Sequence, residues 1–233
     1  LTVYEKAGDS IAKEAYAYSE GYKEFLDKAK TEREAVTEGI RIAEANGFVP
    51  YTFGTAMNPG DKFYYNNRGK SLFLFTIGTE DIQNGIRISV AHVDAPRLDL
   101  KPVPLYEEGG MAFFKTHYYG GIRKYQWVTV PLALHGVIVK AAGTTVTVSV
   151  GENEEDPIFY INDLLPHLSR ESNTKPIGAA IPGEKLNVLV GSTKDDESIK
   201  HNLLRILNEK YAITEEDFLS AELSVVPAAK ARD

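Results

Sequence analysis

From residue 4 to residue 47 the apolar positions follow a helical spacing. Val36, Ile40 and Ala43 recur at steps of four and three and make one stripe. TERE (residues 31–34) has the spacing of a capping box, with Thr31 as cap and Glu34 three residues on. Gly47 predicts a left-handed stop to this helix. Gly39 stands inside the stripe, where glycine weakens a helix by about 1 kcal/mol relative to alanine. The period then shortens. KFYYNN (residues 62–67) and SLFLFTIG (residues 71–78) read as strands joined by an RGK turn. In GIRISVAHVD (residues 85–94) Ile86, Ile88 and Val90 alternate with Arg87 and Ser89, and Ala91 and Val93 then make the second face apolar. This predicts a strand that starts near solvent and ends covered on both faces.

Beyond Pro102 the composition changes. EEGG and the aromatic-rich MAFFKTHYYGGI lead into VIVKAAGTTVTVSV, a hairpin candidate turning around residues 142–143. KLNVLVGS predicts a short strand, and DDESIKHNLLRILNEKYA a helix with Ile199, Leu203, Ile206 and Leu207 on one face and acids at its start. ITEEDFLSAELSVV predicts a helical turn and a last strand. Helices followed by strands imply an α/β or α+β layered domain. The expected boundaries, near residues 102 and 218, make residues 103–218 a β-rich unit interposed in the first. The chain starts at Leu1 and stops after a strand-like segment, the pattern of a part of a longer polypeptide.

Composition removes several function classes. The chain has 233 residues and a net charge of −7 with no basic stripe, which argues against nucleic acid. Cysteine is absent, which excludes disulfides, thiolate catalysis and Cys-ligated metals. No apolar run approaches the roughly 18 residues of a membrane span, and the first twenty residues lack a secretory core. A soluble intracellular protein is expected. The Walker pattern, the GxSxG elbow and the HExxH helix are all missing, and no carboxylate pair is placed for glycosidase chemistry.

The candidate chemistry sits in IRISVAHVDAPRLDLKP (residues 86–102). On an extended strand His92 and Asp94 point to the same side and continue the phase of Ile86, Ile88 and Val90. An apolar face thus turns polar at the carboxyl end, where open α/β sheets place ligands. Neutral imidazole suits zinc-like metals, and a nearby carboxylate fixes its tautomer. The bland alternative is a strand end with polar caps, since the motif is short and two residues do not complete a tetrahedral shell. Among the other histidines, His117 sits among aromatics, His135 in an apolar run and His201 on a helix surface, all with structural or solvated readings. His167, in DLLPHLSRE, follows a proline at the start of a polar loop, a plausible source of a substrate contact.

SVAHVDAPRLDLKP resembles the metal-binding segment of the M18 metalloaminopeptidases, the relatives of aspartyl aminopeptidase, and most of all their bacterial branch. GKSLFLFTIG before it, then THYYGG, PLALHGVIVK, LLPHLSRE and the closing LSVVPAAKARD, resemble the same family in the same order, so the likeness covers essentially the whole chain. The resemblance implies an α/β fold: part of a mixed-sheet, zinc-peptidase-like catalytic domain (residues 1–102), an inserted β-rich dimerisation domain (103–218), and the chain returning to the catalytic domain (219–233). It implies dimers that build tetrahedral, typically twelve-subunit particles. It implies two divalent metals, zinc first with cobalt or manganese as alternatives, bridged by an aspartate, and removal of N-terminal residues from peptide substrates. His92 resembles a metal ligand, Asp94 the carboxylate that buttresses it, and His167 the histidine lent to a neighbouring subunit's active site. The family's general base and remaining ligands match nothing here, so the chain alone is expected to be inactive. Many relatives carry a Trp-Phe-Asp-Arg-Asp-like stretch after the double glycine, where this chain reads RKYQWVTV (residues 123–130) without an acid. A preference for acidic N-terminal residues does not carry over. Two other readings stay open: a non-catalytic assembly module, and another His-x-Asp metal hydrolase such as an amidase.

Overall fold

The computed structural model describes residues 2–194 and 198–232. The chain divides into two compact units: residues 1–95 with 230–233, and residues 96–229.

The first unit begins with three helices, α1 (Val3–Ala7), α2 (Asp9–Lys28) and α3 (Glu32–Ala45). Thr31 caps α3 in the expected box: its hydroxyl accepts from the Glu34 N–H at 3.4 Å, and its own N–H donates to Glu34 Oε2 at 3.0 Å. Gly47 takes φ +81° just past the helix end and donates to the Glu44 carbonyl. β1 (Val49–Pro50), β2 (Lys62–Asn67) and β3 (Ser71–Thr76) form a mixed sheet in that order, with β1 parallel to β2 and β2 antiparallel to β3. α3 lies on one face. Tyr64 donates to Glu44 at 2.7 Å and Lys62 to the Asn46 carbonyl at 3.1 Å. A Cβ on Gly39 would meet Leu72 Cδ2 at 2.9 Å, so the glycine that weakens the helix also lets it lie close to β3.

The second unit is a six-stranded sheet in the order β7-β6-β9-β4-β5-β8, every pairing antiparallel. In chain order these are β4 (Arg97–Glu108), β5 (Met111–Tyr119), β6 (Leu132–Val139), β7 (Thr145–Val150), β8 (Val188–Gly191) and β9 (Ala221–Pro227), with α4 (Arg170–Asn173), α5 (Ile177–Ala180) and α6 (Ile199–Tyr211) between. The hairpin expected around residues 142–143 is β6–β7, closed by Gly143 at φ +81°. One face of the sheet is apolar. Leu98, Phe114, Leu134 and Val225 bury it against Leu203 and Leu207 of α6 and against Phe218. Ile206, placed on the same stripe, is only half-buried. The acids expected at the start of this helix, residues 195–197, lie outside the described residues.

The opposite face carries a polar row. Direct cross-strand pairing aligns Ser149, His135, Ser224, Asp99 and His117 across β7, β6, β9, β4 and β5. His135 is buried and its Nε2 lies 2.9 Å from Glu152 Oε1, as a structural histidine. Ser224 donates to Asp99 at 2.7 Å, and Arg97 Nε donates to the same oxygen at 2.8 Å.

Two expectations are corrected. The boundaries do not fall at 102 and 218: β4 runs unbroken through Pro102, and β9 sits in the middle of the six-stranded sheet, bonded to β4 and β6. A strand held on both edges belongs to the unit that holds it. Residues 219–229 therefore belong to the second unit, and only 230–233 group with the first. The strand expected over residues 85–94 is not formed. This stretch is extended chain with Ile86 65%, Ile88 72% and Val90 87% exposed. Its pattern is that of a strand, but pairing needs a neighbour, and none of the described strands bonds to it.

Candidate metal centre

His92 and Asp94 meet as the i, i+2 spacing predicts, although no strand holds them. The His92 Nδ1 lies 2.8 Å from the Asp94 backbone carbonyl and 3.1 Å from Asp94 Oδ1. A carbonyl oxygen only accepts, so Nδ1 carries the proton. The Nε2 lone pair is then free for a metal ion. The His92 side chain is 82% exposed, which leaves that nitrogen accessible. A carboxylate and a carbonyl gripping the far ring nitrogen are the usual outer support of a metal-ligating histidine.

The donor set fits zinc as far as it goes. A neutral imidazole is a first-rank zinc ligand. One imidazole does not make a shell, however, and among the described residues no three His, Asp or Glu side chains converge on a point.

His167 lies in the other unit, exposed on the loop before α4. The loop is braced from behind. Buried Ser169 donates to the Pro166 carbonyl at 3.3 Å, Asn173 donates to the same oxygen at 3.3 Å, and the Leu168 N–H donates to the Leu165 carbonyl at 2.8 Å. Leu164, Leu165 and Leu168, 58–63% exposed, flank the histidine. Sequence reasoning singled out His167 but not this apolar collar. The signal was there in LLPHL, three leucines where a solvated loop has polar residues.

The remaining sequence candidates are structural. His117 is exposed at the end of β5 and stacks on Tyr118 at 5.4 Å. His201 lies on the exposed face of α6, its N–H capped by Ser198 at 3.0 Å. After the Gly120 turn the acid-free stretch winds through a 3₁₀ turn (Lys124–Gln126), buries Trp127 and reaches Thr129 at φ +62°. The Thr129 N–H is held by the Ile161 carbonyl at 2.9 Å. Trp127 anchors this segment in the core of the second unit, so it serves packing there.

A family model described as aminopeptidase I zinc metalloprotease (M18) matches residues 25–233. This chain belongs to the M18 peptidase family. It is 52% identical to a probable M18 family aminopeptidase 1 of Clostridium acetobutylicum, over 99% of this chain and 51% of that protein. The crystal structure of an M18 family aminopeptidase from Thermotoga maritima superposes with a TM-score of 0.87 at 46% identity, covering 94% of this chain and 49% of that one. That of aminopeptidase I from C. acetobutylicum gives 0.84 at 46% identity, over 99% and 52%. The chain thus spans about half the length of the M18 relatives it matches, and its mixed α/β architecture is theirs.

Proposed function

We propose that this M18 chain supplies the first metal ligand of a zinc-dependent aminopeptidase. The observation that carries the reading is the His92 ring, its tautomer fixed by Asp94 and its Nε2 accessible, inside a family matched from residue 25 to residue 233. In this reading His92 binds one of two divalent ions, zinc first with cobalt or manganese as alternatives. Asp94 keeps Nδ1 protonated and the ring oriented. The remaining ligands and the general base come from outside this chain. A metal ion held by His92 would supply Lewis-acid chemistry for peptide hydrolysis. The second unit, residues 96–229, acts as the assembly unit, and His167 on its braced loop reaches a neighbouring subunit, where the leucine collar meets that subunit's surface.

The test joins this chain to the part of the C. acetobutylicum relative that it does not match and assays aminoacyl p-nitroanilides. The expected result is zinc-dependent release of the N-terminal residue, lost on chelation and restored by added zinc. His92→Ala should lower activity at least about 100-fold, and Asp94→Asn should weaken zinc binding about 10–100-fold. Activity untouched by His92→Ala would remove the assignment. Hydrolysis of N-acyl amides in place of free-amine substrates would favour the amidase reading.

A further inference from the structure

Halfway along β4 the pairing with β5 breaks. Leu100 faces Thr116 and Leu105 faces Phe114, so β4 spends residues 101–104 where β5 spends Lys115 alone. β4 also parts from β9 here. Its pairs with that strand are Leu98–Val225 and Asp99–Ser224, while β9 runs on beside β6 to Ala221. The 3₁₀ turn Glu215–Ser220 packs against β4 where the strands diverge. A cleft of about 250 Å³ lies between the turn and the bulge. Leu105 and Phe218, both buried, form its floor. Pro102, Val103 and Leu219 form its walls, with Val103 64% and Leu219 70% exposed. The charged members of the lining are Glu215 and Glu216. Glu215 accepts from the Lys200 ammonium. Asp217, between the cleft and Thr214, is spent on the turn itself and accepts from the Thr214 N–H at 2.8 Å and its hydroxyl at 3.0 Å. Glu216 is exposed and has no such partner among the described residues.

Form, size and charge bound what this cleft can hold. Pro102 and Pro104 carry no N–H, so the bulge does not take up an added strand. The occupant binds through its side chain instead. The volume is below the roughly 300–1,000 Å³ of ordinary ligand pockets, which suits one leucine-sized apolar group. The rim asks for a positive charge. A second copy seated face to face about a twofold axis sets Glu215 and Glu216 against themselves, and the net charge of −7 adds to that repulsion. The charge must also stand close to the apolar group, because one small cleft serves both. An N-terminal residue meets this condition, since its α-ammonium and its side chain share one carbon. An internal lysine does not: its ammonium ends a flexible four-carbon stem, and the next side chain leaves the other side of an extended backbone. A free amino acid brings an α-carboxylate towards two glutamates, which repel it.

We propose that the cleft between the β4 bulge and the Glu215–Ser220 turn is a binding site for the apolar N-terminal residue of a peptide. The side chain sits on Leu105 and Phe218, and the α-ammonium meets the Glu216 carboxylate. Lys200 keeps Glu215 neutralised, which leaves one anionic partner for one cation. The inference goes beyond the peptidase reading and does not rest on it, since binding is read without hydrolysis.

The experiment titrates leucinamide into the 233-residue chain at about pH 6.5, where α-amines are protonated, and follows the backbone amide resonances. Saturable shifts are expected at residues 103, 105 and 215–219, half complete below about 10 mM. N-acetylleucinamide, 4-methylpentanamide (the same amide without its amine) and free leucine should each bind at least about threefold more weakly. Glu216→Gln should bring leucinamide down to the level of 4-methylpentanamide. Val103→Ser should weaken leucinamide at least about threefold through the lost apolar wall. Both side chains are exposed, so both variants should melt as the parent does. Ile158→Ser, exposed in the second unit and outside the lining, should leave binding unchanged. If the chain alone is poorly soluble, the joined polypeptide carries the same variants, with 3-methylbutylamine as a probe that has no scissile bond. No saturable shift below about 10 mM overturns the proposal, as does equal binding of 4-methylpentanamide or indifference to Glu216→Gln. Tighter binding of an acetylated Leu-Lys amide than of leucinamide overturns the N-terminal assignment. Self-association of the chain that Val103→Ser abolishes places a second copy on the cleft and overturns it too.

Discussion

Asp156 illustrates how much one carboxylate can hold at the residue scale. Burial pushes its pKa up. The Lys210 ammonium at 2.8 Å and the N–H groups of Gly151 and Asn153 outweigh that and hold it at about 2, well below the ordinary aspartate value. The folded value lies below the unfolded one. The contribution is therefore complete above about pH 4 and is lost as pH falls towards 2. Asp156→Asn should destabilise the second unit by about 1–2 kcal/mol at pH 7. Denaturant melts at pH 7 and pH 2 check this, because most of the gap between the variant and the parent should close at the lower pH. Gly136 is a stricter case. It sits in β6 at φ +140°, and a Cβ there would lie 2.0 Å from the Glu222 carbonyl oxygen of β9. Gly136→Ala should destabilise the unit by about 3–5 kcal/mol, because the obstacle is backbone that cannot swing aside. A melt that shifts by less than a degree would remove this account of the β6–β9 contact.

At the scale of elements, the six-stranded sheet is held by one apolar face and pinned by one polar row. Phe114 is fully buried in that apolar face, edge-on to Phe218 at 5.9 Å. Phe114→Ala should cost about 3–5 kcal/mol, seen as an earlier unfolding step of the second unit while amide protection in α3 stays as it was. The polar row forms because a two-residue side-chain period and straight register put polar residues of five strands side by side. Residues 85–94 make the complementary point. Their first half alternates as a strand would, yet no strand forms, because a strand is a pairing and not a property of its own residues.

For the whole molecule, the unit boundaries follow hydrogen bonding rather than composition. Pro102 looked like a border and is instead a member of β4, inside the stretch where the register to β5 shifts between Leu100 and Leu105. The described helices include none long and apolar enough to cross a membrane. The metal reading makes its own prediction here. This chain by itself should bind zinc weakly through His92, with no aminopeptidase activity. Titration with zinc followed by the His92 ring resonances should show a shift at Nε2 and none at Nδ1, since Asp94 occupies the latter. A Nδ1 shift would mean that the metal displaces Asp94 and that the buttressing role is wrong.

By itself the sequence determined what depends on neighbours a few residues apart. The capping box at Thr31, the left-handed stop at Gly47, the β6–β7 hairpin and the meeting of His92 with Asp94 all follow from short-range geometry. The M18 segments, being contiguous motifs, were legible too. Only the tertiary structure decided what depends on residues far apart in the chain. That β9 joins β4 and β6, that Gly136 faces a carbonyl more than eighty residues on, and that His135 is satisfied by Glu152 are all consequences of packing. The same reason leaves residues 86–91 without a bonded neighbour among the described residues: their pattern specifies a strand, and pairing depends on residues elsewhere.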